Sequence, residues 1–269
     1  MQTIDVREDL LGRATMLKVI PTVSSIVEKA LSLISNNDSS FNDLSDVIKY
    51  DQSISSKIIS IANSAYYSRG VDVFSLQRAM MTIGFEEVKK IVMCLLFMNN
   101  MLKSLNLKGK DLVDLWKHSA YVACAARALS KKMLVEDPQK VFTISLLHDI
   151  GKTVLYINAE NYHAVLKKAT EKGKDLAAME KELYGIDHQE IGYAIGVKWH
   201  FPEEFLCAIR YHHEEGQTKY DSLLRLVRAA DNFALATNKD LGPEGFILLN
   251  EKEAITAEME KIVDFLQVV

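Results

Sequence analysis

His148 and Asp149 stand side by side in Leu146-Leu147-His148-Asp149-Ile150-Gly151-Lys152, directly after an apolar helical run. The pair offers a neutral nitrogen and an anionic oxygen on one helical turn, where both can reach one metal ion or one phosphate-bound water. By itself the dipeptide reads as a helix end with a packed histidine and a solvated aspartate, so partners elsewhere in the chain decide its meaning. His118 falls on the apolar face of a helix between Leu115 and Val122. His188 sits in the first turn of a helix that Asp187 and Glu190 open as a capping box. His212 and His213 close another helix, and Asp231 lies on an apolar stripe with Leu224, Val227, Ala234 and Leu235. A carboxylate on such a stripe is costly to bury unless a metal, a cation or hydrogen bonds compensate. His118, His148, His188, His212 and His213 are five of the seven histidines, and with Asp149 and Asp231 they offer the mixed nitrogen and oxygen donors that a mono- or dinuclear hydrolytic site requires. His163 reads as a surface or packing residue.

The elements that must carry these residues are helices. Only 4 prolines and 12 glycines interrupt 269 residues, and apolar positions recur at three- and four-residue spacing, which predicts an all-α fold. A short N-terminal segment, residues 1–15, leads to a helix entered at Pro21, with Val23, Ile26, Val27, Ala30, Leu31 and Ile34 inward. A turn at 36–40 follows, and Ser40 with Asp43 and then Asp51 cap the next helices. Ser75 opens a helix that stops at Ile83-Gly84, and residues 86–98 form a strongly apolar helix. In the second half a helix spans 111–129, Asp137-Pro138 starts the helix that ends at His148-Asp149, and residues 156–183 read as helical spacer broken at Gly173. Further helices run from Asp187 to Trp199, from Pro202 to His213 and from Tyr220 onward. After Asn238 come a turn at Gly242-Pro243 and an amphipathic helix carrying Ile255, Met259, Ile262 and Phe265-Leu266. That last stripe is expected to pack on the domain, with a homodimer or protein contact as the other use.

Composition bounds the function classes. A 48% apolar content supports a real core, while the net charge of −4 argues against nucleic acid and anionic membrane as partners. Cys94, Cys124 and Cys207 are widely spaced among apolar neighbours and read as reduced core residues. No apolar run is long enough to span a bilayer, so a cytoplasmic location is expected.

Ile48-x-x-Asp51, Ala62-Asn63-Ser64-Ala65 followed by Tyr66-Tyr67, Ser75-Leu76-x-x-Ala79 and Ile83-Gly84-x-x-x-Val88 resemble the N-terminal half of the HDOD family, the HD-related output domains of bacterial signalling. The resemblance runs from about residue 16 to about residue 236. It implies an N-terminal helical bundle, 16–105, packed against an HD-superfamily helical bundle, 106–236, and the amphipathic helix read from the apolar stripe occupies 237–269. The order His, His-Asp, distant Asp resembles the HD phosphohydrolase superfamily, which implies His118, His148, Asp149 and Asp231 as metal ligands, with His188, His212 and His213 as ligands for a further metal. The same resemblance implies a phosphate contact for Lys152 and a bridging carboxylate at Asp114. One or two divalent ions (iron, manganese, nickel or zinc) are the implied cofactors. Cyclic-dinucleotide phosphodiesterases of that superfamily carry Gly-Tyr-Pro after the paired histidines; here the chain reads His213-Glu214-Glu215-Gly216-Gln217-Thr218-Lys219. The sequence therefore points to an HDOD-type regulatory protein that keeps a divalent-metal site, with a protein partner or a small phosphorylated or nucleotide ligand, and with metal-dependent hydrolysis of a nucleotide as the alternative.

Overall fold

The computed structural model describes residues 6–17, 24–35, 39–68, 70–89, 91–92, 109–214, 218–235 and 242–266. Among these the regular structure is α-helix, with no strand. The first part contains α1 (Val6–Met16), α2 (Ser24–Ser35), α3 (Phe41–Ile48), α4 (Gln52–Ala62) and α5 (Leu76–Ile83). Local chemistry sets the starts of α3, α4 and α5 as the sequence predicts. The Ser40 hydroxyl accepts from the Asp43 N–H at 3.2 Å while the Asp43 carboxylate accepts from the Ser40 N–H at 2.8 Å, a reciprocal box at the start of α3. Asp51 caps α4 through the Ile54 N–H at 2.8 Å, and Ser75 caps α5. Gly84 ends α5 at φ 92°, a conformation that side chains disfavour.

The second part is built on the long α6 (Gly109–Met133), followed by α7 (Pro138–Leu147), α8 (Ile150–Asn158), α9 (Tyr162–Lys172), α10 (Leu176–Tyr184), α11 (His188–Lys198), α12 (Glu203–Tyr211), α13 (Asp221–Ala234) and α14 (Gly242–Leu266). Helix α6 packs against α7, α13 and α14, while α11 packs against α8 and α12. One continuous core runs through both parts, from Ile54, Ile58 and Met80 to Leu129, Leu147, Phe205 and Leu224. Trp116 on α6 donates its indole N–H to the Tyr50 carbonyl at 2.6 Å, which pins the corner before α4 to the second part.

Three expectations change. The N-terminal segment, to which the sequence assigns no element, contains α1, which buries Leu10 and Ala14 against α8 and α11. Gly12 and the charges of Arg7, Glu8, Asp9 and Arg13 leave it too narrow an apolar stripe to be seen in the sequence. Gly242-Pro243, read as a turn, is the first turn of α14, where a residue without an N–H costs the helix nothing. The predicted spacer breaks at Gly173 as expected, where that residue caps α9 in the left-handed region, but it breaks a second time between α8 and α9, and α8 begins before it at Ile150. The entry at Pro21 and Val23, the turn residues 36–38 and residues 93–98 of the predicted apolar helix lie outside the described residues.

Helix α14 covers α6 and α13 through Leu248, Ile255 and Met259, with ion pairs Arg127–Glu258, Lys132–Glu251 and Arg225–Glu244 along its flanks. Its described apolar positions are thus largely spent on its own chain, although Phe246 and Leu249 stay exposed. No helix among the described residues is long and apolar enough to cross a membrane.

Candidate metal centre

His148 and Asp149 occupy the joint between two helices. His148 is the C-cap of α7 and Asp149 the N-cap residue of α8, and the Asp149 side chain makes no capping bond, so its oxygens are left to the interior. Both residues are buried. His118 projects from the middle of α6, and His188 is the first residue of α11, held there by the Asp187 carboxylate accepting from the Glu190 N–H at 2.7 Å. The Glu190 side chain turns instead toward Arg7, Lys181 and Arg210, so the predicted capping box is a single cap. His212 is the C-cap of α12, His213 follows it, and Asp231 lies on α13.

These six elements converge on two groups of donors. His118, His148, Asp149 and Asp231 form one; His188, His212, His213 and Asp149 form the other. Within each group the donor atoms lie within 4.8 Å of one another, and Asp149 is common to both. Its Oδ2 is 3.3 Å from His118 Nε2 and 3.4 Å from His148 Nε2, whereas its Oδ1 is 3.3 Å from His212 Nε2 and 3.7 Å from His188 Nε2. Asp231 Oδ1 lies 3.0 Å from His118 Nε2 and 3.7 Å from His148 Nε2, and its Oδ2 is 3.7 Å from His213 Nδ1.

Hydrogen bonding on the far side of the rings gives these contacts their meaning. His148 Nδ1 is 2.7 Å from the Ser145 carbonyl, and His212 Nδ1 is 3.0 Å from the Ile209 carbonyl. A carbonyl only accepts, so Nδ1 carries the proton in both rings and Nε2 presents a lone pair to the centre. His188 Nδ1 faces Glu180 Oε2 at 2.6 Å to the same effect. Lone pairs of nitrogen and carboxylate oxygen facing each other at 3 to 4 Å repel unless a cation or proton lies between them. The buried atoms His118 Nε2, His148 Nε2, His188 Nε2, His212 Nε2, Asp149 Oδ1 and Asp231 Oδ1 have no hydrogen-bond partner. Orphans of this kind are rare in a folded interior and here all point at one place, so the donor set fits one or two divalent cations.

Without a cation, the charges lean on each other. Burial pulls the His118 imidazole down, yet the Asp149 and Asp231 carboxylates outweigh it and hold the ring up to about 9. Burial raises both carboxyls, but Lys152 and His148 beside Asp149, and His118 and His148 beside Asp231, keep both well below the usual range. Burial holds His212 below its ordinary value despite Asp149, and burial with the neighbouring His212 and His188 pushes His213 down to about 2. Lys152 is buried, with Nζ 2.5 Å from Asp149 Oδ2, and it neutralises the shared carboxylate from outside the donor groups. The centre meets solvent at His118 and His213, whose side chains are 18% and 32% exposed. Asp114, one turn before His118, is exposed and falls outside both groups.

Two residues at the site escaped the sequence reading. Glu180 on α10 is fully buried and binds His188, and Tyr162 on α9 donates its hydroxyl to Glu180 Oε1 at 2.5 Å. Burial and the Glu180 charge hold the Tyr162 phenol well above its ordinary range, so it stays a donor. The available signal was a glutamate next to Met179, four residues after Leu176 on an inward face.

Comparison with known proteins agrees with this architecture. The HDOD domain model matches residues 20–215, which include His118, His148, Asp149, His188, His212 and His213 but stop short of Asp231. An uncharacterized protein of Treponema pallidum is 23% identical over 219 residues, 79% of this chain but 41% of that protein, so the chain spans about two fifths of the curated relative it matches. The response regulator MmoQ of Methylococcus capsulatus shares the fold, with a TM-score of 0.70 at 22% identity over 86% of this chain and 93% of that chain. So does an HDOD domain protein of unknown function from Geobacter sulfurreducens, with a TM-score of 0.56 at 22% identity over 98% and 100% of the two chains. With its family model spanning most of the helical body and its fold shared with these structures, the chain belongs to the HDOD family.

Proposed function

We propose that the protein is a regulatory HDOD module built around a divalent-metal centre, with His118, His148, Asp149 and Asp231 holding one ion and Asp149, His188, His212 and His213 a second. The observation that carries the reading is the set of buried, unpartnered donor atoms meeting around the shared Asp149. Bound cations would supply Lewis acidity and charge neutralisation in a buried pocket. The chain's own contribution is to hold His148, His188 and His212 in the Nε2-lone-pair form and to balance Asp149 with Lys152.

A regulatory role is favoured over turnover by Lys152. Its ammonium is sequestered against Asp149 and almost closed to solvent, instead of being offered to a phosphate. The Gly-Tyr-Pro motif of the phosphodiesterases is also missing after His213. MmoQ, a fold relative, is a response regulator, which fits a signalling context. The alternative, a metal-dependent phosphohydrolase acting on a nucleotide or cyclic nucleotide, draws on the donor set and on the solvent-facing edge at His118 and His213.

Metal analysis of the purified protein, then a panel of nucleotides and cyclic nucleotides with manganese or iron added, separates the readings. Stoichiometric metal with no phosphate release and no ring opening is the expected result. Turnover abolished by Asp149→Asn would establish the alternative, and absence of bound metal would end both.

A further inference from the structure

The two donor groups are unequal in charge. The first has a carboxylate of its own, Asp231, besides the shared Asp149, whereas the second has three imidazoles and only the shared carboxylate, which Lys152 already neutralises in part. A divalent cation held by neutral imidazoles in a buried pocket carries a large desolvation cost. The missing charge stands one side chain further out. Glu180 is fully buried, and three donors meet its two oxygens: the His188 N–H at 2.8 Å and His188 Nδ1 at 2.6 Å on Oε2, and the Tyr162 hydroxyl on Oε1. His148 and His212, by contrast, lean on neutral backbone carbonyls.

Resting on the metal reading above, we infer that Glu180, locked by Tyr162, is the positioning residue that makes the His188–His212–His213 group a metal site, supplying through the His188 ring the negative charge that this group lacks among its own donors. A carboxylate on the far nitrogen fixes the tautomer and raises the basicity of the ligating one, and loss of such a partner weakens metal binding by about 10- to 100-fold. The effect belongs to one of the two positions, because Glu180 touches none of the donors around Asp231.

The test is Mn(II) titration of the full chain after chelator treatment, read by bound-metal stoichiometry and by electron paramagnetic resonance. A pair of ions bridged by Asp149 gives an exchange-coupled spectrum, and a single ion gives isolated six-line signals. Wild type is expected to bind two ions. Glu180→Gln is expected to keep the first within about twofold and to weaken the second by about 10- to 100-fold, replacing the coupled spectrum with isolated signals. Tyr162→Phe, which keeps the charge and frees its position, should weaken the second step less, and it carries the test if Glu180→Gln does not fold as judged by circular dichroism. Two unchanged binding steps in the folded variants, or equal weakening of both, would overturn the inference while leaving the metal reading intact. A wild type that takes up no metal would overturn the metal reading itself, and this inference with it.

Discussion

Gly151 and His188 meet backbone to backbone: a Cβ added at Gly151 would lie 1.8 Å from the His188 carbonyl oxygen and 2.7 Å from its carbon. This contact sets the spacing of α8 and α11, and through it the distance between Asp149 and His188. Gly192, one turn along α11, continues the same close approach, with an added Cβ 3.2 Å from the Gly151 nitrogen. Because the obstacle is backbone and cannot rotate aside, Gly151→Ala should force α11 outward. The expected outcome is a loss of about 1–3 kcal/mol or more in denaturant unfolding, with a weakened second metal step in the same titration.

Asp231→Asn should act on the opposite side of the centre. It removes the one carboxylate that the first donor group does not share and leaves His188, His212, His213 and Asp149 in place. Metal analysis should fall from two equivalents to one, and the ion retained should be the one that Glu180→Gln loses. Equal loss of both ions would mean that the two groups do not act as separate positions.

Stability and metal binding should respond to pH in opposite directions. In the metal-free protein His118 is raised to about 9 against an ordinary 6.5, so its protonated form stabilises the fold. That contribution is fully present below pH 6.5 and is lost as pH rises through about 9. His212 and His213 are lowered, so their neutral forms favour the fold, and stability is lost on the acid side as pH falls below 6.5. A metal requires unprotonated imidazoles, so its stabilisation grows as the His118 proton leaves. Thermal melts between pH 6.5 and 9 should therefore show Tm falling with chelator present while the increment from added Mn(II) rises. In His118→Ala the alkaline fall should disappear.

Gln52 should matter to the fold more than its place on a short helix suggests. Its amide donates to Ser119 Oγ at 2.8 Å and to the Leu146 carbonyl at 2.7 Å, and accepts from Thr153 Oγ1 at 3.2 Å. Each contact is a chain neighbour, or nearly so, of a site residue: His118, His148 or Lys152. Gln52→Ala leaves buried polar groups unpaired and should cost about 1–3 kcal/mol. Denaturant unfolding measures that cost, and a metal titration of the folded fraction shows whether the first donor group loosens with it.

Helix α14 should be a structural part of this chain. Its Leu248, Ile255 and Met259 are buried on α6 and α13, so Ile255→Asp places a charge where an apolar side chain packs. Tm should drop sharply, and sedimentation should show no conversion of a dimer to a monomer in the soluble fraction. A stable monomer arising from a wild-type dimer would assign the helix to an interface instead.

Much of this site was legible in the chain because its signals are local. Ser40, Asp51, Ser75 and Asp187 each satisfy an N–H three positions ahead, so helix starts are written in short windows. His118 and Asp231 stand out because polar groups interrupt apolar stripes, and burial of such groups demands partners. Those rules give the all-α class and mark His118 and Asp231 as candidate donors. Tertiary structure alone decided how the donors divide. That Asp149 is shared, that Lys152 turns inward to it, that Asp114 stays outside, and that Glu180 reaches His188 from a stretch read as spacer all depend on how α6, α8, α10, α11 and α13 cross. Helix crossings are set by long-range contacts such as Gly151 against His188 and Gln52 against Leu146, residues 94 positions apart in the second case, and periodicity along a helix carries no record of which face meets which.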